Sequence, residues 1–415
     1  MNTNQRSDGS KEVKLAQHLT ELVGQKTETR QDPWCVLPYL RLSPEPNVVC
    51  FRSQQFVLID TSEDPPVSRR AVLRDLDEDG GPISPVNMAS NSVTIEDIVA
   101  ARERIKNYVH VTPIMTSSTM DELTGREIFF KCENFQKTGA FKARGAINTV
   151  LSIKEGRITP GAKGVVTHSS GNHGMALAWA AQIGQLACDV VIANTTSDIK
   201  KSAIQRNGAV LTQCEPNAVS RIETCKRISD EKGYEIISTC DHPCVIAGQG
   251  TMALEILDEI PDLDAIFVPT SGGGMAAGIA IAAKAINPNI KIFSVEPEGK
   301  NLEPCLRSGE RLWPNPPQFL DTIADAMPMQ QAGKHTFPIL CELVEKTVFT
   351  VANDDIVKAL RFAFQRMKIV IEGAAALGIA AVMSDKMKSL DPSIRKVAVI
   401  LSGGNIDIDH LPWAH

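Results

Sequence analysis

The sequence predicts an α/β fold of open, mostly parallel sheets, and three observations carry that prediction. Beyond residue 160, short apolar runs alternate with helical stretches. These runs are apolar throughout rather than every second residue, so both faces of each strand are covered. One run leads through three glycines straight into a helix, Val268-Pro-Thr-Ser-Gly-Gly-Gly-Met-Ala-Ala-Gly278, the strand–turn–helix junction on which α/β proteins place ligands.

Taken in chain order, residues 1–92 read as an N-terminal extension, mostly disordered. They are rich in Pro, Ser, Gln and charge, with the acidic stretch Leu73-Arg-Asp-Leu-Asp-Glu-Asp-Gly80. Within them residues 11–23 could form a short helix and residues 56–60 a strand, neither with an obvious partner. Trp34 and Phe51 are apolar islands with room for a docking role. Thr94 followed by Asp97 predicts a helix N-cap, with Ile95, Ile98, Val99 and Ile105 at helical spacing behind it. Strands are predicted at 164–167, 189–193, 209–212, 265–268, 291–295 and 397–401. Helices are predicted at 175–183 and 275–286, with another beginning at Ala146.

The chain of 415 residues, 43% apolar and 22% charged, suits a globular protein of two or three domains. A net charge of -6 argues against nucleic acid or anionic membrane as main partner. No apolar run approaches membrane-spanning length and the N-terminus has no apolar leader core. The ten cysteines are scattered without a CxxC pair, which predicts free thiols in a reducing compartment, here the cytoplasm.

Four motifs carry chemistry. In Lys137-Thr-Gly-Ala-Phe-Lys142-Ala-Arg-Gly145, Lys142 sits in a Gly/Thr turn beside Phe141 at the start of a helix. That setting suits a lysine holding an aldehyde cofactor as a Schiff base, against the bland reading of a solvated lysine. The glycines of 268–278 can cradle a phosphate on helix amides. Gly272, Gly274 and Ala277 also satisfy G-x-G-x-x-A, with Glu296 about 20 residues on, so this motif alone equally fits an NAD-dependent oxidoreductase. Thr167-His-Ser-Ser-Gly-Asn-His-Gly174 offers hydroxyls and amides, and Leu401-Ser-Gly-Gly-Asn405 closes a buried strand. A nicotinamide site has no use for Lys142 or the Ser402 loop, which sets the dinucleotide reading aside.

Together these motifs resemble the pyridoxal-phosphate enzymes of the tryptophan-synthase-β type, specifically the serine racemase and serine/threonine dehydratase family. The resemblance runs from about Val93 to the C-terminus. It implies fold type II: a large cofactor-binding domain of residues 93–163 and 242–415, a small α/β domain of 164–241, and the active site between them. Lys142 is then the Schiff-base lysine. Phe141 packs on the ring, Asn172 binds the 3′ oxygen, Ser402 meets the pyridine nitrogen, and Ser271, Gly272, Gly273 and Gly274 hold the phosphate. The substrate carboxylate falls to Ser169, Ser170, Gly171, Asn172 and His173, with Arg221 and Cys240 on the substrate side. His168 and His173 otherwise read as hydrogen-bonded structural groups. Ser170 is the expected second acid–base group, because Lys142 reaches only one face of the substrate.

The implied function is racemisation of L-serine together with elimination of water to give pyruvate and ammonia. A dedicated L-serine/L-threonine dehydratase and an aspartate racemase are the alternatives within the family. The implied partner is a small amino acid and the implied assembly a homodimer. The chain departs from the family at three places. Residues 238–240 read Ser-Thr-Cys where ring-bearing residues are expected. The divalent-cation site (Mg2+ or Ca2+) keeps Glu296 and the carbonyl of Lys300, but its aspartate falls on Leu302, with Glu303 next door. Of the positions implied to bind ATP, Ser117, Ser118, Lys137, Thr138 and Asn405 are kept, while Met175 and Asn207 differ.

Overall fold

The structure is a computed structural model that describes residues 41–42, 48–50, 56–60, 67–68, 93–314 and 318–413. The chain divides into two units, Met1–Ser90 and Asn91–His415. In the first unit the strands β1 (Arg41–Leu42), β2 (Val48–Cys50), β3 (Phe56–Asp60) and β4 (Val67–Ser68) form an antiparallel meander in that order. The strand expected at 56–60 is present, but it has partners, pairing with β2 and β4. The helix expected at 11–23, Trp34, Phe51 and most of the expected disorder lie outside the described residues.

The second unit opens with helix α1 (Ile95–Ile105), whose predicted cap is a reciprocal capping box. Asp97 accepts from the Thr94 amide at 2.9 Å, and Thr94 Oγ1 accepts from the Asp97 amide at 3.4 Å. Ile98 and Ile105 are buried as the spacing predicts. Val99 is not: one residue off the Ile98–Ala101–Ile105 stripe, it is 48% exposed. Strand β5 (Ile114–Thr116), helix α2 (Ser118–Thr124) and strand β6 (Glu127–Cys132) follow, then helix α3 (Lys142–Lys154).

A four-stranded sheet is built next, from β7 (Gly164–His168), β8 (Ala187–Ala193), β9 (Val210–Cys214) and β10 (Tyr234–Ile236), joined by helices α4 (Asn172–Gly184), α5 (Asp198–Gln205) and α6 (Ala218–Lys232). All its pairs are parallel, in the order β10-β7-β8-β9. Helix α7 (Pro243–Glu259) returns the chain to the larger sheet. There β11 (Ala265–Pro269), α8 (Gly274–Ile286), β12 (Lys291–Pro297), α9 (Leu302–Ser308) and α10 (Thr336–Leu343) succeed one another. Strand β13 (Phe349–Val351), helices α11 (Asn353–Phe362), α12 (Gly373–Met383) and α13 (Asp385–Lys388), and strand β14 (Lys396–Leu401) complete it. The six strands run β13-β12-β11-β14-β6-β5, parallel except for β5 against β6.

Both faces of the large sheet are buried, as unbroken apolar strands require. Ile266, Val268, Ile292 and Ile400 pack into one core, and Phe267, Phe293, Val399 and Leu401 into the other. Phe267, Phe293 and Phe349 cluster with ring centroids 4.8 to 5.7 Å apart. Among the described residues no helix is long and apolar enough to cross a membrane.

Helix α3 is fastened by a buried charge network. Arg144, fully buried, forks onto Glu133 (2.7 and 2.9 Å) and onto Glu255 of α7 (2.6 and 2.8 Å). Lys131 of β6 reaches Glu255 at 2.7 Å, and Thr112 donates to Glu133 at 2.6 Å. Two cations face two carboxylates, and the fork geometry supplies the hydrogen bonds that a buried pair needs to offset its desolvation. Gly248 of α7 lies so close to α3 that an added Cβ there would fall 2.6 Å from the Gly145 Cα. Arg144→Met should therefore strand Glu133, leave Glu255 to Lys131 alone, and destabilise the fold by about 3–5 kcal/mol. Arg144→Lys should recover little, since an ammonium cannot fork. Urea midpoints of the three proteins check this; a Lys variant as stable as wild type would contradict it.

Candidate active site

The lysine turn is sewn to the loop after β14. The Phe141 amide donates to the Ser402 carbonyl at 3.0 Å and the Gly404 amide to the Gly139 carbonyl at 2.9 Å. Ala140 and Gly403 form a bridge, and the Asn405 side chain donates to the Thr138 carbonyl at 2.8 Å. Thr138, at φ 61°, and Gly139, at φ 75°, take the left-handed conformation that reverses the chain here. For a β-branched residue such as Thr138 this is strained backbone, held by the surrounding bonds.

Lys142, the first residue of α3, projects its amine into a cavity of about 440 Å³. Nζ donates to the Thr239 carbonyl at 2.5 Å and lies 4.9 Å from the centre of the Phe141 ring. Burial pulls the amine below its usual range, against the attraction of Cys240 and Glu372. A desolvated amine of this kind gives up its proton readily and is nucleophilic.

Across the cavity, α8 starts at Gly274 directly after β11, and its first amides have no intrahelical acceptor. Space forces the glycines. A Cβ at 272 would fall 2.1 Å from the Cys240 sulfur, and one at 274 would fall 2.4 Å from the Cys240 carbonyl. Gly273 has φ 90°. The Thr336 hydroxyl fixes this turn by donating to the Gly272 carbonyl at 2.6 Å. Asp241 in turn accepts from the amides of Lys334, His335 and Thr336 at 2.8, 2.9 and 3.1 Å, capping α10.

The loop after β7 brings Ser169, Ser170, Gly171, Asn172 and His173 to the same cavity. His173 is buried, as expected of a structural histidine; its ring nitrogens make no well-formed hydrogen bond, the Ile237 backbone being the hydrogen-bonding group that acts on the ring. Burial drives its pKa well down, with Lys142 adding to the effect, so the ring stays neutral. Asn172 donates to both oxygens of Glu372 (2.8 and 3.0 Å) and accepts from Asn405 at 2.8 Å. Glu372 was not anticipated. Its signal was a lone acid in the run Ile369-Val-Ile-Glu-Gly-Ala-Ala-Ala376. Burial pushes its carboxyl up to about 7, the Asn172 bonds opposing.

On the remaining wall, the Ser238 hydroxyl accepts from the amides of Cys240 and Asp241 at 3.4 and 3.0 Å, which bends the 238–240 loop toward Lys142. Arg221 stacks 5.1 Å from the Phe319 ring, and its Nε is buried without a partner. Burial and the Arg221 charge both lower the pKa of His168. Ser271 and Ser402 also line the cavity, so the predicted cofactor and substrate residues meet in one place. That place lies beyond the carboxyl ends of β7, β10, β11 and β14, where parallel sheets hold ligands.

Each of the expected cation ligands is engaged within the protein. Glu303 is engaged by Arg307 at 2.7 and 2.9 Å and by the Val348 amide at 2.9 Å. The Lys300 carbonyl accepts from Trp313 Nε1 at 2.6 Å. The Glu296 carboxylate accepts from the Leu302 amide at 3.1 Å and the Thr350 hydroxyl at 3.3 Å. Burial raises the Glu296 carboxyl to about 7 and lowers the Lys300 amine to about 8, their mutual attraction opposing both. Among the described residues no cluster of three His, Cys, Asp or Glu could hold a metal ion. Leucine at 302 removes the carboxylate that such a site needs.

A desolvated lysine facing a side-chain-free helix start, with an unbonded histidine and an aromatic ring beside it, fits a cofactor carrying an aldehyde and a phosphate. The fold and this cavity thus define a cofactor-dependent enzyme. Residues 105–403 match the family model described as pyridoxal-phosphate dependent enzyme, and the chain belongs to that family. It is similar to human serine racemase, 43% identical over 77% of this chain and 93% of the relative. It is also similar to the L-threo-3-hydroxyaspartate ammonia-lyase of Saccharomyces cerevisiae, 40% identical over 76% of this chain and 94% of that one. The crystal structure of a pyridoxal 5'-phosphate-dependent aspartate racemase superposes with a TM-score of 0.76 at 52% identity, covering 78% of this chain and 98% of the other.

Glu372 makes the cofactor-stripped protein pH-sensitive. Its folded pKa of about 7 lies above the usual 4.5, so the stability it contributes is full below pH 4.5 and is lost as pH rises through 7. The loss amounts to about 3 kcal/mol. Relative to Glu372→Gln, wild type should lose thermal stability across that window. Parallel melting profiles for the two proteins from pH 4.5 to 8 would contradict the burial argument.

Proposed function

We propose that this enzyme racemises L-serine and also eliminates water from it to give pyruvate and ammonia, with pyridoxal phosphate as cofactor. One observation carries the reading: the desolvated Lys142 amine shares a cavity with the Ser169–Ser170–Gly171 loop, the glycine cradle and Ser402. Lys142 anchors the cofactor, residues 271–274 hold its phosphate and Phe141 packs on its ring. Asn172 binds the 3′ oxygen, its amide oriented by Glu372 and Asn405. When bound, the cofactor supplies a sink for the electron pair left on the substrate Cα.

The chain's own groups move the protons. Lys142 removes the Cα proton from L-serine. Ser170 returns one from the other face, which gives D-serine. In elimination Lys142 takes the Cα proton and passes it to the β-hydroxyl, which leaves as water, and the enamine left behind hydrolyses to pyruvate and ammonia. Ser402 offers a neutral hydroxyl to the ring nitrogen, which keeps the sink modest and suits these two reactions over transamination. Hydroxyls and amides of residues 169–173 hold the substrate carboxylate. We assign residues 164–241 to a small domain that carries Ser170 and Arg221 opposite Lys142. The cysteines from Cys132 to Cys341 are free thiols, which supports a cytoplasmic enzyme; we expect a homodimer by analogy with its relatives.

A second reading, an acidic amino acid as substrate, is favoured by Arg221. Its unpartnered Nε at the cavity wall would pair with a side-chain carboxylate. The 52% identity to an aspartate racemase points the same way. One set of assays separates these readings: chiral product analysis from L-serine, L-threonine and L-aspartate with wild type and Ser170→Ala. Ser170→Ala should lower formation of the D-enantiomer at least about 100-fold while sparing elimination from L-serine. Undiminished D-enantiomer formation would rule Ser170 out, and wild-type kcat/KM higher for L-aspartate than for L-serine would establish the second reading.

A further inference from the structure

Near Glu296, where the resemblance implies a divalent cation, the chain buries a cation of its own. The Lys300 side chain is fully buried and its Nζ donates to the carbonyls of Met329 and Gln330 at 3.0 and 2.8 Å. The Glu296 carboxylate, also buried, attracts this amine without a direct ion pair, its oxygens being bonded to the Leu302 amide and the Thr350 hydroxyl. Gln330 adds a bond of its own, from Nε2 to the Gly299 carbonyl at 2.9 Å. The ring of Trp313 lies 6.0 Å from Nζ. Residues 299–300 and 329–330, thirty positions apart, are thus tied by three hydrogen bonds, and Met329 lines the active-site cavity.

We propose that the Lys300 ammonium is a tethered substitute for a divalent cation, so that this enzyme needs no divalent metal for its fold or its activity. An ammonium presents three donors to oxygen acceptors, and here it has two backbone carbonyls and the field of one carboxylate. Because it is covalently attached, it is present at every free-metal concentration. A divalent ion would meet like charge there, and Leu302, packed in the core, offers it no carboxylate. Lys300 is therefore a positioning residue. It holds the Met329–Gln330 backbone, and with it one wall of the cavity, against the end of β12. This inference is independent of the substrate, and its first readout is thermal stability.

The test begins with the holoenzyme dialysed against EDTA. Its Tm should move by less than about 1 °C, its kcat/KM should stay within about twofold, and millimolar Mg2+ or Ca2+ should add nothing. A fall in either quantity that Mg2+ or Ca2+ restores overturns the proposal. Lys300→Ala vacates the ammonium's space while leaving its oxygen acceptors. It should lower Tm by about 5 °C or more and kcat/KM by about 10-fold, mainly through KM. Ethylammonium chloride should restore much of both, relative to sodium chloride at equal ionic strength. Lys300→Met, which fills the space without charge, should be weakened and should not respond. A Lys300→Ala enzyme with wild-type Tm and KM, or equal responses of the two variants to ethylammonium, overturns the positioning role. If neither variant folds, the EDTA experiment decides by itself.

Discussion

The active site depends on a seam of hydrogen bonds, two main-chain and one from the Asn405 side chain, between residues 138–141 and 402–405. Phe141 to Ser402, Gly404 to Gly139 and Asn405 to Thr138 join two segments more than 250 positions apart. The seam fixes where α3 begins, and α3 begins at Lys142. It also sets Ser402 and Lys142 into one cavity, and it holds Thr138 in a left-handed conformation that a free chain would leave. Backbone donors and acceptors are well suited to this task, because their geometry survives side-chain substitution and does not titrate.

Buried charge appears three times around this seam, handled differently each time. Behind α3, Arg144 and Lys131 balance Glu133 and Glu255 with forked, fully satisfied geometry, and the group acts as a rivet. Within the cavity Lys142 and Glu372 are not directly paired, and burial moves both toward their neutral forms. That is the condition expected of groups that handle protons or cofactor atoms. At the third place Lys300 and Glu296 are both buried near the cavity wall, and the amine is held by the Met329 and Gln330 carbonyls.

Most of this arrangement was legible before any coordinates. The six strands read beyond residue 160 are all present, because each is an apolar run long enough to register. The strands that escaped notice had physical reasons to do so. β5, β10 and β13 are three residues each, too short for a period, and β6 carries Lys131, whose charge hides a buried strand. The motif residues found one another as expected, since glycines and a lysine at a strand–helix junction have few other uses. What sequence could not carry was pairing across distance. Asn172 was read for its amide, but not for the Glu372 that orients it from 200 residues away. The Glu296 site was read by its oxygen ligands, while Lys300 counted only as a carbonyl and not for its buried amine.

The account rests on Lys142 being the residue that anchors the cofactor. Borohydride reduction of the holoenzyme followed by peptide mass spectrometry tests this directly. The account predicts the reduced pyridoxyl mass on the peptide containing Lys142 and on no other lysine. A label on Lys300, or on any lysine outside the cavity, would contradict it.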